Sequence, residues 1–206
     1  MSPPPSKLST TRSLWMLTRY HHLKMDHFYC PSSQDQPINQ SDKDADTQIY
    51  WDFGSGDIPG PASEEQARQG WSQISYGYAI PYGKHARPSP DWDKNIWVAD
   101  KGPYGAAIEA GFPTPPPIPD PVPRSAKDWR PWNSPNHNYE GQVVLYGTSH
   151  AEFTKAPTYA YYWENIYTQN SNTTDITKHR ENQRGNPPVL GGKLTPACDT
   201  DSFIYP

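Results

Sequence analysis

Seven prolines fall within eleven consecutive positions, 113–123 (PTPPPIPDPVP), and 25 within the 206 residues of the chain. Each one fixes φ and removes a backbone donor, so long helices and uninterrupted central strands are excluded wherever prolines recur. The run itself reads as polyproline II, a stiff spacer of roughly 3 Å per residue between two contact zones. Its PxxP spacings also suit a proline-recognition groove, but no flanking residue argues for one. Leu, Ile, Val and Phe number only 28 of 206, about 14%, below the roughly 20% under which chains tend to disorder. The other half of the disorder signature is missing, because the net charge is −4 and 19% of residues are charged. What remains for burial is 14 Tyr, 8 Trp and 5 Phe, flat rings of which most carry a polar edge.

These features lead to the expectation of a mostly irregular, extended chain with few secondary elements, an N-terminal helix plus short strands and helical turns. The alternative is a small α+β domain with an aromatic core and long loops. The chain divides into a basic N-terminal helix (1–30), an acidic linker (31–48), an aromatic, Gly- and Pro-rich contact segment (49–112), the polyproline spacer (113–123), a second aromatic segment (124–170) and an irregular tail (171–206). Between Thr10 and Phe28 neither Pro nor Gly occurs, and Met16, Tyr20, Leu23 and His27 share a helical face. Ser63 and Gln66 fit a capping box for a turn or two ending at Gly70. Residues 71–82 read as an edge strand broken by Pro81, 103–110 as a short helix and 140–147 as the best strand. Periodicity leaves 157–169 open between strand and helix. Phe203, Ile204 and Tyr205 are the residues able to dock the end of the tail.

Residues 1–25 carry Lys7, Arg12, Arg19 and Lys24 without an acid, whereas 26–65 carry nine acids against Lys43. With a pI near 5.9 and no basic stripe, nucleic acid is not indicated. The acid-free, hydroxyl-rich start has the composition of a mitochondrial presequence, against which stands an ordinary basic amphipathic helix. No secretory core and no run of about 18 apolar residues is present. Two cysteines, Cys30 and Cys198, fit a reducing compartment rather than a disulfide framework.

Candidate chemistry is sparse. His21, His22, Asp26, His27 and Cys30 form the densest group of metal-ligand types, with His22 and Asp26 at i, i+4, but a second compact ligand pair is missing. There is no nucleophile elbow, and Gly54-x-Gly56 runs into Asp57 and prolines rather than a phosphate-binding helix. The expectation is therefore no catalytic residue, no metal and no cofactor. The weight falls on rings flanked by Pro, Asp, Asn or Lys: Trp51, Trp92, Trp97, Trp129, Trp132, Tyr161 and Trp163 are the candidate partner-binding anchors. Read against that, the same rings are a small domain's own core. Asp91-Trp92 before Trp97 and Asp128-Trp129 before Trp132 look like one contact element used twice.

Elements such as YWDFGSGDIPGP, SPDWDKNIW, KDWRPWNSP and KAPTYAYYWENIY, over about residues 49–167, resemble the small microtubule inner proteins of ciliary and flagellar doublets in composition and style. That resemblance implies a non-enzymatic structural protein of the axoneme that docks along the tubulin lattice and neighbouring inner proteins. An accessory subunit of a mitochondrial complex is the alternative that the N-terminus favours. An aromatic carbohydrate-binding module is a third, requiring rings on a flat exposed sheet face near 157–167.

Overall fold

The computed structural model describes residues 11–20, 22–33, 35, 53, 74–85, 93–104, 115–158, 163–170, 175–188 and 195–205. They belong to two units, Met1–Tyr76 and Gly77–Pro206.

In the first unit a helix, α1, spans Arg12–Arg19, and a 3-10 turn spans Met25–Phe28. The helix is shorter than the sequence suggests, because the amides of His22 and Leu23 both turn back onto the Leu17 carbonyl, at 2.8 and 3.1 Å. The buried face differs too: Tyr20 and Leu23 stay exposed while Trp15 is buried. Trp15 and Phe28 each meet the Phe53 ring edge-on, with centroids 5.0 and 5.1 Å apart, and Ile74 completes the cluster. A buried indole brings a large apolar area in one side chain. A polar clasp closes this unit, Ser75 donating from its amide to the Phe28 carbonyl (2.9 Å) and from its hydroxyl to Asp35 (2.6 Å). The helical turn expected at 63–70 and most of the acidic linker lie outside the described residues.

The second unit is built on β1 (Tyr76–Ala79), β2 (Ile96–Asp100), β3 (Gln142–Tyr146), β4 (Ala151–Thr154) and β5 (Ile204–Tyr205). They form one sheet in the order β4-β3-β2-β1-β5. The β1–β5, β2–β3 and β3–β4 pairs are antiparallel. β1 stops before Pro81 as expected, but it is not an edge: β5 pairs outside it, matching Tyr78 with Tyr205 and Ala79 with Ile204. The C-terminal apolar residues thus dock as anticipated, by adding a strand. A second short helix, α2, spans His179–Arg184. Few helices and a five-stranded antiparallel sheet fit the small α+β domain better than the mostly extended chain.

The core shows how so few aliphatics suffice. Ser125 caps a 3-10 helix, Ala126–Trp132, reciprocally with Asp128: the Asp128 amide donates to Ser125 Oγ (3.3 Å), whose hydroxyl donates to Asp128 Oδ2 (2.7 Å). Residues three apart eclipse in a 3-10 helix, so Trp129 and Trp132 face the same way and meet edge-on at 5.7 Å. Both join Tyr104, Tyr167, Ile96 and Val144 in the core. The proline run is not a spacer. Ile118 and Val122 are buried in that same core, and Trp132 Nε1 donates to the Pro116 carbonyl at 2.7 Å.

Amide side chains fill much of the rest through specific hydrogen bonds. Gln142 gives Nε2 to Thr154 Oγ1 (2.8 Å) and takes the Ser134 amide at Oε1 (3.3 Å). Asn133 Nδ2 ties the Tyr139 and Lys155 carbonyls, at 3.0 and 3.1 Å. At Gly141 the backbone passes so close to β4 that a Cβ would strike the Thr154 carbonyl and lie 2.6 Å from Phe153 Cζ. Gly141→Ala is accordingly expected to cost about 1–3 kcal/mol through overpacking, read as a lower melting temperature. An unchanged melting temperature would show that the strand has room to give.

Candidate docking surface

The seven candidate anchors separate by position. Trp129 and Trp132 are only 3% and 5% exposed, so they belong to the chain's own core and are not available to a partner. Trp97 is half-buried on β2. Trp51, Trp92 and Tyr161 lie outside the described residues. Trp163 alone among the described candidates is displayed, at 52% exposure. Of the two Asp-Trp elements, Asp91 and Trp92 lie outside the described residues; the second Trp of the first, Trp97, sits in a strand, whereas Trp129 and Trp132 both sit in a 3-10 helix.

Trp163 occupies the left-handed region at φ 59°, a conformation that costs a bulky residue energy and persists only when its surroundings impose it. The residues that follow supply that constraint. The Asn165 amide donates to the Asn182 carbonyl (3.2 Å) and the Ile166 amide to the Pro157 carbonyl (3.1 Å). Glu164 is fully buried and accepts the Ser202 amide at Oε1 (2.7 Å). Burial first, and the charge of nearby Asp201 second, push the Glu164 carboxyl well above the ordinary range, which favours its protonated form. Trp163 is in 3-10 conformation, and 164–169 run neither as the strand nor as the helix left open by periodicity; Gln169 makes an isolated bridge to Asn186.

A second exposed region is set by the loop between the 3-10 turn Pro135–His137 and β3. Buried Asp100, at the end of β2, takes the Asn136 side-chain amide at Oδ1 (2.8 Å) and the Val143 backbone amide at Oδ2 (2.6 Å). His137 Nε2 stands 3.1 Å from the same Oδ2. Burial raises the Asp100 carboxyl, and these hydrogen bonds and His137 oppose the rise. With both oxygens engaged, this carboxylate is a tie that holds each end of the loop. Between the ties, Asn138 and Tyr139 are both left-handed, at φ 54° and 62°. They border a groove of about 390 Å³ whose other walls are Pro103, Pro115, Pro116, Pro131 and Arg130. Arg130 donates to the Asn138 carbonyl (3.2 Å) and lies 3.6 Å from Glu140, so its charge is already partnered.

In the histidine-rich segment of the first unit, where His21 lies outside the described residues, His22 and Asp26 do not share the helical face their spacing suggested. The helix ends before it, leaving His22, Asp26 and His27 exposed, with His27 Nδ1 3.1 Å from the Lys24 carbonyl, while Cys30 is buried. Cys198 donates its thiol to the Asn170 carbonyl at 3.2 Å. Sequence reasoning missed the displayed rings Tyr82, Tyr139 and Phe153 and the buried acids Asp100 and Glu164. The only signal for those acids was their position beside apolar strand or aromatic residues.

No family model, curated protein or solved structure matches this chain.

Proposed function

We propose that this protein is a non-enzymatic structural component that docks onto a large assembly by displaying a few rings on a domain of its own, the assembly being the doublet microtubule of cilia and flagella. The observation that carries the docking reading is Trp163, more than half exposed yet locked left-handed on the buried stretch Glu164–Tyr167. A large aromatic held rigid before contact loses little conformational freedom on binding, which is how hot-spot residues act. The composition shared with microtubule inner proteins is what supports the choice of assembly.

Co-sedimentation of the full chain with salt-stripped doublet microtubules tests both parts. Wild type is expected to pellet with doublets. Trp163→Ala is expected to weaken pelleting by roughly 30-fold, the equivalent of a 2 kcal/mol hot spot, with an unchanged melting temperature. Pelleting of the variant like wild type would remove Trp163 as the anchor, and a wild-type chain left in the supernatant would remove the microtubule assignment.

A further inference from the structure

β4 is an outermost strand of the sheet among the described residues, and its register fixes which backbone groups point outwards. The Tyr146 amide donates to the His150 carbonyl (2.9 Å), which opens the β3–β4 hairpin with a hydrogen-bonded pair. Pairs alternate from there, so Val144–Glu152 and Gln142–Thr154 bond across the hairpin while Leu145–Ala151 and Val143–Phe153 do not. An independent contact agrees: the Val143 amide turns away from β4 and donates to Asp100 at 2.6 Å. The N–H and C=O groups of Ala151 and Phe153 therefore face away from the sheet, as a paired ladder edge requires of its next strand.

The side chains beside those groups specify what the next strand must carry. Val143 and Phe153 are cross-strand partners, 39% and 48% exposed, and make an apolar face continuous with the edge. On the opposite face the Glu152 side chain stands 39% exposed, its Oε1 taking the Tyr146 hydroxyl at 2.8 Å and its Oε2 lying 3.8 Å from His150 Nε2. A second copy of this chain fits poorly. Symmetric pairing through Ala151 and Phe153 would set Glu152 directly against its own copy, and like charges in that relation are destabilising. Sliding the register towards Lys155 fails as well, because the Lys155 carbonyl is already taken by Asn133.

We infer that the β4 edge is a site for an extended strand from a different polypeptide, with a basic residue opposite Glu152 and apolar residues on either side of it, opposite Ala151 and Phe153, extending the apolar face that Phe153 shares with Val143. This is strand addition, in which main-chain bonds supply affinity and alternate side chains supply choice. It rests on the docking reading but assigns a separate surface, distinct from Trp163.

The test titrates the isotopically labelled full chain with the capped peptide Ser-Thr-Val-Lys-Ile-Thr-Ser while following backbone amides by NMR. The amides of Ala151 and Phe153 are expected to shift saturably. Replacing the peptide Lys by Glu, or methylating the peptide nitrogens that face β4, is expected to weaken binding at least tenfold. Ala151→Pro removes only an outward N–H, so it is expected to abolish binding with little change in melting temperature; should that variant fail to fold, the methylated peptide carries the same test. Absence of saturable shifts at those two amides, or undiminished binding of the methylated peptide, overturns the proposal. So do shifts that grow with protein concentration alone, which would assign the edge to a second copy. Trp163→Ala is expected to bind the peptide like wild type, so a failed edge leaves the docking reading to its own sedimentation result.

Discussion

Replacing Trp132 by alanine is expected to cost about 3–5 kcal/mol, the range for emptying an indole-sized site in a packed core. The loss has three sources that act together. Trp132 is 5% exposed, it meets Trp129 edge-on, and its indole N–H holds the Pro116 carbonyl at 2.7 Å. Without the indole, the proline run loses the hydrogen bond that fixes it to the 3-10 helix, and the core that Ile118 and Val122 share with Trp132 loses a large ring. Because small domains are stable by only about 5–15 kcal/mol, such a variant is expected to melt roughly 6–20 °C lower, at about 2–4 °C per kcal/mol for a chain of this size. Thermal denaturation of the purified chain checks this. A Trp132→Ala chain that melts like wild type but releases a partner would return Trp132 to the role of an anchor.

The second large effect concerns pH. Glu164 binds its proton more tightly in the folded chain than in the unfolded one, owing to burial and then to Asp201. Above the ordinary carboxyl value of 4.5 the folded state therefore holds more protons than the unfolded state, and stability falls as pH rises through the elevated titration. Asp100 is displaced in the same direction and adds to the same slope. One group bound in one state and not the other is worth 1.36 kcal/mol per pH unit, or roughly 3–5 °C of melting temperature per pH unit. Glu164→Gln keeps an oxygen for the Ser202 amide but has no charge to bury. Its melting temperature is expected to match wild type near pH 4 and to exceed it increasingly towards pH 8. A glutamine variant less stable than wild type throughout, with the slope intact, would place the pH dependence elsewhere.

Several elements were legible in the residues themselves. The strand at 140–147 appeared as Gln142–Tyr146 because it alone combines consecutive β-branched residues with glycines at both ends. Pro81 ended β1, and Phe203 to Tyr205 returned to the sheet. The proline run and the Trp pair were misread for one physical reason. Hydropathy treats Asp128, Lys127 and Pro131 as signs of exposure, yet in a 3-10 helix those neighbours point outwards while residues 129 and 132 eclipse inwards. The shortage of aliphatics likewise seemed to forbid a core. Composition does not register that Gln142, Asn133 and Asn136 are buried with specific hydrogen-bond partners, and each such pairing allows a polar side chain to do part of what Leu or Ile would do. Trp163 was among the candidate anchors, but what sets it apart from the other rings, the bonds of the residues after it to Asn182 and Pro157, is not written in local sequence.

All of this depends on the chain sheltering its own rings. Amide hydrogen exchange on the isolated full-length protein tests that most directly. The account predicts slow, cooperative exchange across β1, β2 and β3, the strands flanked on both sides, and across the amides that follow Trp163. Exchange at unfolded-chain rates in those same stretches, slowed only when a partner is added, would contradict it.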